Sequence, residues 1–279
     1  MTRLERRLLT DRFIKVVATS LAVLAIVLLA WILWTVFYRG LTALSFSVFT
    51  MPTESPGRGG GLANAIVGSL IQVLVGLVIA TPVGLFAGTY LSELGRGRFA
   101  DAVRFINDVL LSAPSILIGL FVYELLVKST GAFSGFAGSI ALAVLILPVV
   151  VRATEDMLRL VPGSLREAAF ALGATRAQVV TSVLWRAARA GIVTGILLAV
   201  ARAAGETAPL LFTSLGNLSW SFDMSKPMAS LPVTIYQYAG SPFDEWVALA
   251  WAGAFLITVG VLFLNILSRV VLAPRGKAS

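Results

Sequence analysis

The chain has 279 residues, 58% of them hydrophobic and only 13% charged, with a formal net charge of +8. Soluble domains carry about 25% charged residues, so this composition excludes an ordinary water-soluble globule. There is no histidine and no cysteine, which rules out disulfides and removes the commonest metal ligands and acid–base groups.

Six apolar spans are predicted, each near the length of about 20 residues that crosses roughly 30 Å of hydrocarbon. The first, Val16–Tyr38, is uncharged and follows Arg3, Arg6, Arg7, Arg12 and Lys15. Its apolar core is longer than the about 7–15 residues of a signal peptide, so it reads as a retained helix. A proline- and glycine-rich segment, Phe49–Gly61, follows as a flexible loop. The second span lies within Leu62–Ser92, with Pro82 and Gly84 as candidate breaks. The third covers Val109–Val127, the fourth Gly135–Val151, the fifth Ala190–Phe212 and the sixth Trp246–Ser268. Between the last two, Ser214–Glu245 carries Trp220, Tyr236 and Tyr238. Such aromatics fit either anchoring at the lipid headgroups or docking of a partner.

The basic residues set the orientation. With both termini inside, the inner segments hold Arg3 to Lys15, then Arg96, Arg98 and Arg104, then the six arginines from Arg152 to Arg189, then Arg269, Arg275 and Lys277. The outer segments hold only Arg39, Arg58, Lys128 and Lys226. Inner loops are enriched in Lys and Arg in this way, so both termini are expected to be cytoplasmic. The positive charge thus reports topology in a lipid bilayer and argues against nucleic acid as a partner.

The inner segment from Arg152 to Arg189 has its own pattern. Pro162-Gly163 ends one helix, and Ser164 precedes Glu167 at capping-box spacing. Leu165, Ala168, Ala169 and Leu172 follow at helical spacing, giving a small apolar face. Gly173 is placed to stop the helix in a left-handed conformation, and Thr175 with Gln178 opens a second helix. An alanine-rich face on a short helix suits close contact with another protein; a plain surface connector is the alternative.

The fifth span carries Arg202 and Glu206 at its middle, four apart and so expected on one helix face. A charge at that depth costs roughly 2.5–3.5 kcal/mol on insertion scales, which marks the pair as a candidate gate or substrate pathway. Thr207 lies beside it, and Asp108, Ser112 and Ser115 cluster near Pro114 at the inner end of the third span. Guanidinium is suited to an oxyanion because it presents a planar fork of donors. A salt bridge that only fixes helix packing is the competing reading. No GxxxxGK[ST] loop is present, so the chain itself is not expected to hydrolyse ATP.

Glu167-Ala168-Ala169 with Gly173 resembles the EAA loop of ATP-binding-cassette importer permeases. Val183 fits the apolar position ten residues on, whereas Trp185 and Arg186 stand where that pattern usually has a proline. The runs Asn107–Ile116, Leu160–Ala169, Ala201–Phe212 and Leu231–Tyr236 are similar to phosphate-importer permeases of the PstA type. The resemblance implies an all-α type I importer fold in the cell inner membrane. It divides the chain into 1–61, a core at 62–272 with the coupling loop at 152–189, and a tail at 273–279. It also implies a PstC-type second permease subunit, a dimer of PstB-type ATPase subunits that use ATP and Mg, and an external PstS-type phosphate-binding protein. No cofactor is expected on this chain. Selection of phosphate is expected to rest with the external protein more than with Glu206. The alternatives are a permease for sulfate or molybdate, or a stand-alone channel or ion-coupled carrier.

Overall fold

The computed structural model describes residues 3–272. The tail at 273–279, with Arg275 and Lys277, lies outside the described residues. Every regular element among the described residues is helical. Five helices are long and apolar enough to cross a membrane, and a sixth span arises if one bent pair is counted as a unit.

The first span is α1 (Arg3–Ala43), followed by the short α2 (Phe46–Thr50). Most of α1 is exposed, including Trp31 and Trp34. Only its last turns meet the bundle, where Phe37 packs edge-on against Phe255 and Arg39 sits 5.1 Å over the Trp251 ring. The loop predicted to be flexible is tied back: Gly61 N–H donates to Pro52 O, and Thr53 N–H donates to the Asn64 side chain.

The second span, α3 (Ala63–Glu93), runs unbroken through Pro82, so neither Pro82 nor Gly84 ends it. Gly84 instead serves packing. A side-chain carbon at Gly84 would lie 2.7 Å from Val150 Cγ1, and one at Gly88 would lie 2.6 Å from Val151 O. These glycines, with Gly76 against Ser139, bring α3 alongside α7 (Gly135–Arg159) in parallel. Close backbone approach of this kind is how membrane helices gain packing energy where the hydrophobic effect is weak.

The third span differs from its prediction. It is a bent pair, α4 (Arg98–Ser112) and α5 (Ser115–Val122), meeting at 106° and continuing through a π-helical turn (Tyr123–Val127) into α6 (Lys128–Thr130). The cause is Pro114, which forces the residue before it out of the helical region. Ala113 accordingly has φ −65° and ψ 135°. The fourth span, α7, extends two turns past its predicted end, to Arg159.

The inner loop folds into α8 (Gly163–Ala171) and α9 (Arg176–Gln178). A π-helical turn (Val179–Leu184) then leads straight into α10 (Trp185–Ala203). No proline is needed at this entry, because Trp185 pins it by donating its indole N–H to Thr89 Oγ1 at 3.0 Å. The fifth span also differs from its prediction, since α10 stops at Ala203 and α11 (Ala208–Thr213) begins after a gap. Gly205 is a poor helix former, and the Pro209 ring would clash with the carbonyl four residues earlier, that of Gly205 itself.

The segment Ser214–Glu245 returns into the bundle. Met228 to Thr234 are mostly buried, and α12 (Leu231–Ala239) packs beneath the final span, α13 (Asp244–Leu272). Tyr238 is buried and stacks on Trp246 at 4.4 Å, so it is a packing residue. Trp220 and Phe222 stack on each other and stay exposed. The core is built from α3, α7, α10, α11 and α12, through Val73, Ala80, Leu142, Ile146, Ala199, Ala203, Leu210 and Val233.

Gly88→Leu is expected to force α3 and α7 apart at a backbone carbonyl and to destabilise the chain by about 1–3 kcal/mol. A lower midpoint of thermal unfolding in detergent, relative to the unsubstituted chain, is the check.

Candidate functional site

Two separate features carry the predicted residues. The first is the break between α10 and α11. Arg202 is in the last turn of α10, and Glu206 and Thr207 lie in the gap, so the pair does not share a continuous helix face as the spacing predicted. The turn still brings them near: Arg202 Nε lies 3.7 Å from Glu206 Oε1. That is an ion pair without hydrogen-bond geometry. The Arg202 side chain is 49% exposed and that of Glu206 16% exposed.

The depth of the pair follows from packing. α10 runs antiparallel to α7, with Gly191 against Met157 and Gly195 against Ala153. Continuing that register sets Arg202 level with Ile146 and Leu147, the middle of α7, and Ala203 indeed shares a core cluster with Ile146. The guanidinium therefore sits halfway along the bundle, open on one side.

The second break, at Pro114, stands close to the first. α5 packs on α11 so tightly that a side-chain carbon on Gly119 would lie 2.6 Å from Pro209 Cα. Ser115, the first residue of α5, lies one turn before Gly119, and Thr207 lies two residues before Pro209. The hydroxyl of Thr213 donates to Pro209 O, so it is a helix-internal bond. Ser112 likewise donates to Val109 O. Asp108 is exposed on α4 and lies 3.8 Å from Arg152 Nη1, while Arg152 Nε donates to Asp156 Oδ2. The structure thus groups Ser115 and Thr207 beside the breaks and pairs Asp108 with Arg152, apart from Arg202.

The second feature is α8. Pro162, with extended φ −56° and ψ 139°, takes the N-cap position. Ser164 lies inside the helix and makes no capping bond, so the predicted Ser164–Glu167 box is absent. Glu167 is free of that duty and points outward with Leu165, Ala168 and Leu172. Ala169 turns inward against Leu158, Val161 and Val179. Gly173 adopts φ +80° as predicted. Its N–H donates to Phe170 O while Ala174 N–H donates to Ala169 O, the paired bonds of a Schellman stop. The Thr175–Gln178 box is present with both reciprocal bonds.

A family model described as "Binding-protein-dependent transport system inner membrane component" matches residues 80–275. The chain belongs to this family. Within it, the chain groups with the PstA-type permeases. It is 50% identical over 250 residues to the "Phosphate transport system permease protein PstA" of Pasteurella multocida, covering 89% of each chain. It is 56% identical over 243 residues to that of Haemophilus influenzae, covering 87% of this chain and 86% of the relative. Among solved structures, the alginate ABC transporter crystallised with its alginate-bound periplasmic protein superposes with a TM-score of 0.61 at 15% identity, covering 98% of this chain and 99% of that one. An inward-facing MetNI methionine ABC transporter gives 0.59 at 20% identity, covering 76% of this chain and 93% of that one. These likenesses establish the importer-permease fold.

Sequence reasoning missed the ion pairs at the basic end of this inner-membrane component. Arg104 of α4 donates to Glu155 Oε1 at 2.9 Å and to the carbonyls of Leu91 and Gly95, while Arg159 also pairs with Glu155. Arg166 pairs with Glu93. The only signal in the sequence was two carboxylates, Glu93 and Glu155, set near helix ends otherwise rich in arginine.

The Glu155 side chain is only 4% exposed. Glu155→Ala removes the buried carboxylate shared by Arg104 and Arg159, leaving Arg104 with Asp101 Oδ1 at 3.3 Å and the two carbonyls, and is expected to cost about 1.5–3 kcal/mol, measured as loss of thermal stability of the purified chain.

Proposed function

We propose that this permease subunit carries inorganic phosphate through the bilayer past the α10–α11 break, driven by an ATPase that docks on α8. The observation that carries the reading is the Arg202 guanidinium: at mid-depth, half open, and held by Glu206 only at 3.7 Å. A pair that served packing alone would be shut away and hydrogen-bonded, since buried charge is costly unless fully satisfied. An anion that has shed water needs replacement donors, and a guanidinium fork supplies several at once. Ser115 and Thr207 add neutral hydroxyls near the break. Glu206 occupies Arg202 when no anion is present and repels a second anion when one is. The names borne by the 50% and 56% identical relatives support phosphate as the cargo.

The basic end, with α8 and the six arginines between Arg152 and Arg189, faces the cytoplasm in this reading, so both termini lie inside. The core at 62–272 pairs with a PstC-type permease subunit, and a PstS-type binding protein delivers phosphate at the opposite end. PstB-type ATPase subunits supply ATP and Mg and press on the outward face formed by Leu165, Glu167, Ala168 and Leu172. Closure of those ATPases tilts the spans against the second permease and moves the opening from one side of the break to the other.

The direct test is uptake of labelled phosphate by the complex reconstituted in liposomes, with sulfate as competitor. Phosphate uptake that sulfate leaves untouched supports the assignment; preferred uptake of sulfate or molybdate refutes it. Arg202→Ala is expected to cut uptake roughly 10- to 100-fold, the worth of a charge-assisted bond of about 1.5–3 kcal/mol, while ATP hydrolysis persists. Unchanged uptake would remove Arg202 from the pathway. Ala168→Glu places a charge on the docking face, and loss of ATPase on co-purification is the expected outcome.

A further inference from the structure

Arg166 precedes Glu167 in α8 but faces the other way, into the bundle. Its Nε donates to Glu93 Oε2 at 3.2 Å and its Nη2 to Glu93 Oε1 at 2.8 Å. The same guanidinium donates to Val161 O at 2.7 Å and Leu158 O at 2.8 Å. Glu93 is the last residue of α3, Leu158 belongs to the last turn of α7, and Val161 lies two residues past the end of α7. One side chain therefore joins α8 to the ends of two spans. Those spans are the parallel pair locked side by side through Gly76, Gly84 and Gly88.

The other attachment of α8 to the bundle is apolar, through Ala169 against Leu158, Val161 and Val179. Apolar contact has no preferred direction and resists sliding poorly. A two-point guanidinium–carboxylate fork does fix direction. The pair is sheltered, with side chains 23% and 14% exposed, so water screens it less than a surface pair.

We propose that Arg166 is the positioning residue that turns movement of α8 into joint movement of α3 and α7, so that ATP hydrolysis is tied to transport. This rests on α8 being the ATPase contact. Lysine cannot replace it, because an ammonium is a point charge and cannot span both carboxylate oxygens and two carbonyls in one plane.

The experiment uses the full complex in liposomes and records phosphate uptake and ATP hydrolysis in the same vesicles. Arg166→Lys and Glu93→Gln keep side-chain size and so favour assembly; Arg166→Ala is the full deletion. The expected result is continued hydrolysis with phosphate moved per ATP reduced about tenfold in all three. Partial recovery in the exchanged pair Glu93→Arg with Arg166→Glu supports direct contact. An unchanged ratio in whatever fraction assembles overturns the proposal. Failure of the docking reading shows separately, as ATPase binding left intact by Ala168→Glu in a complex that keeps Arg166 and Glu93.

Discussion

Hydrocarbon offers no hydrogen bonds, so a helix that breaks inside a membrane must have its freed backbone groups covered by protein or by a wet cavity. This chain breaks two spans, at Ala113–Pro114 and at Ala204–Thr207. Both halves beyond the breaks, α5 and α11, pack against each other with Gly119 on Pro209. α11 is also covered by α7, where Gly138 meets Leu210 and Ser214. The half-helices beyond the breaks are thus held on the side of the core, while Arg202 stays half exposed. Everything proposed for transport depends on that asymmetry.

This hold needs a stiff backing, and the α3–α7 pair provides it. Gly76 and Gly88 on α3 approach the α7 backbone, and Gly191 and Gly195 on α10 pack on Met157 and Ala153 of α7. Polar groups are spent at the ends of this column. Arg104 gathers Glu155 and two carbonyls at the end of α3, and Arg166 gathers Glu93 and two carbonyls at the end of α7. Helix C-terminal carbonyls lack partners within the helix, so an arginine that also holds a carboxylate satisfies several groups at once. Arginines of this basic end therefore also close its helix ends.

The two candidate features differ in kind. α8 is defined by local chemistry, with Pro162 at its start and the Gly173 stop at its end. The break at Arg202 is defined by its neighbours. Glu206 reaches Arg202 through a turn, and the loose 3.7 Å separation leaves both groups able to take other partners. A tightly bonded pair would cost more to open during each cycle than one held by attraction alone.

Span number, basic asymmetry, the Gly173 stop and the Thr175–Gln178 box were legible in the sequence alone. Each depends on run length or on contacts within about four residues, and such constraints act locally. The sequence also singled out Arg202, since an arginine in an apolar run stands out wherever the helix ends. It misjudged Ser164 because Pro162 competes for the cap, and it read the third and fifth spans as continuous because composition does not register backbone direction. Only tertiary structure decided that Pro82 is tolerated while Pro114 and Pro209 mark breaks, that α12 returns into the core, and that Arg166 finds Glu93 73 residues away. Those outcomes depend on what lies across the bundle, because a freed carbonyl or a lone guanidinium is acceptable only where a distant segment supplies its partner.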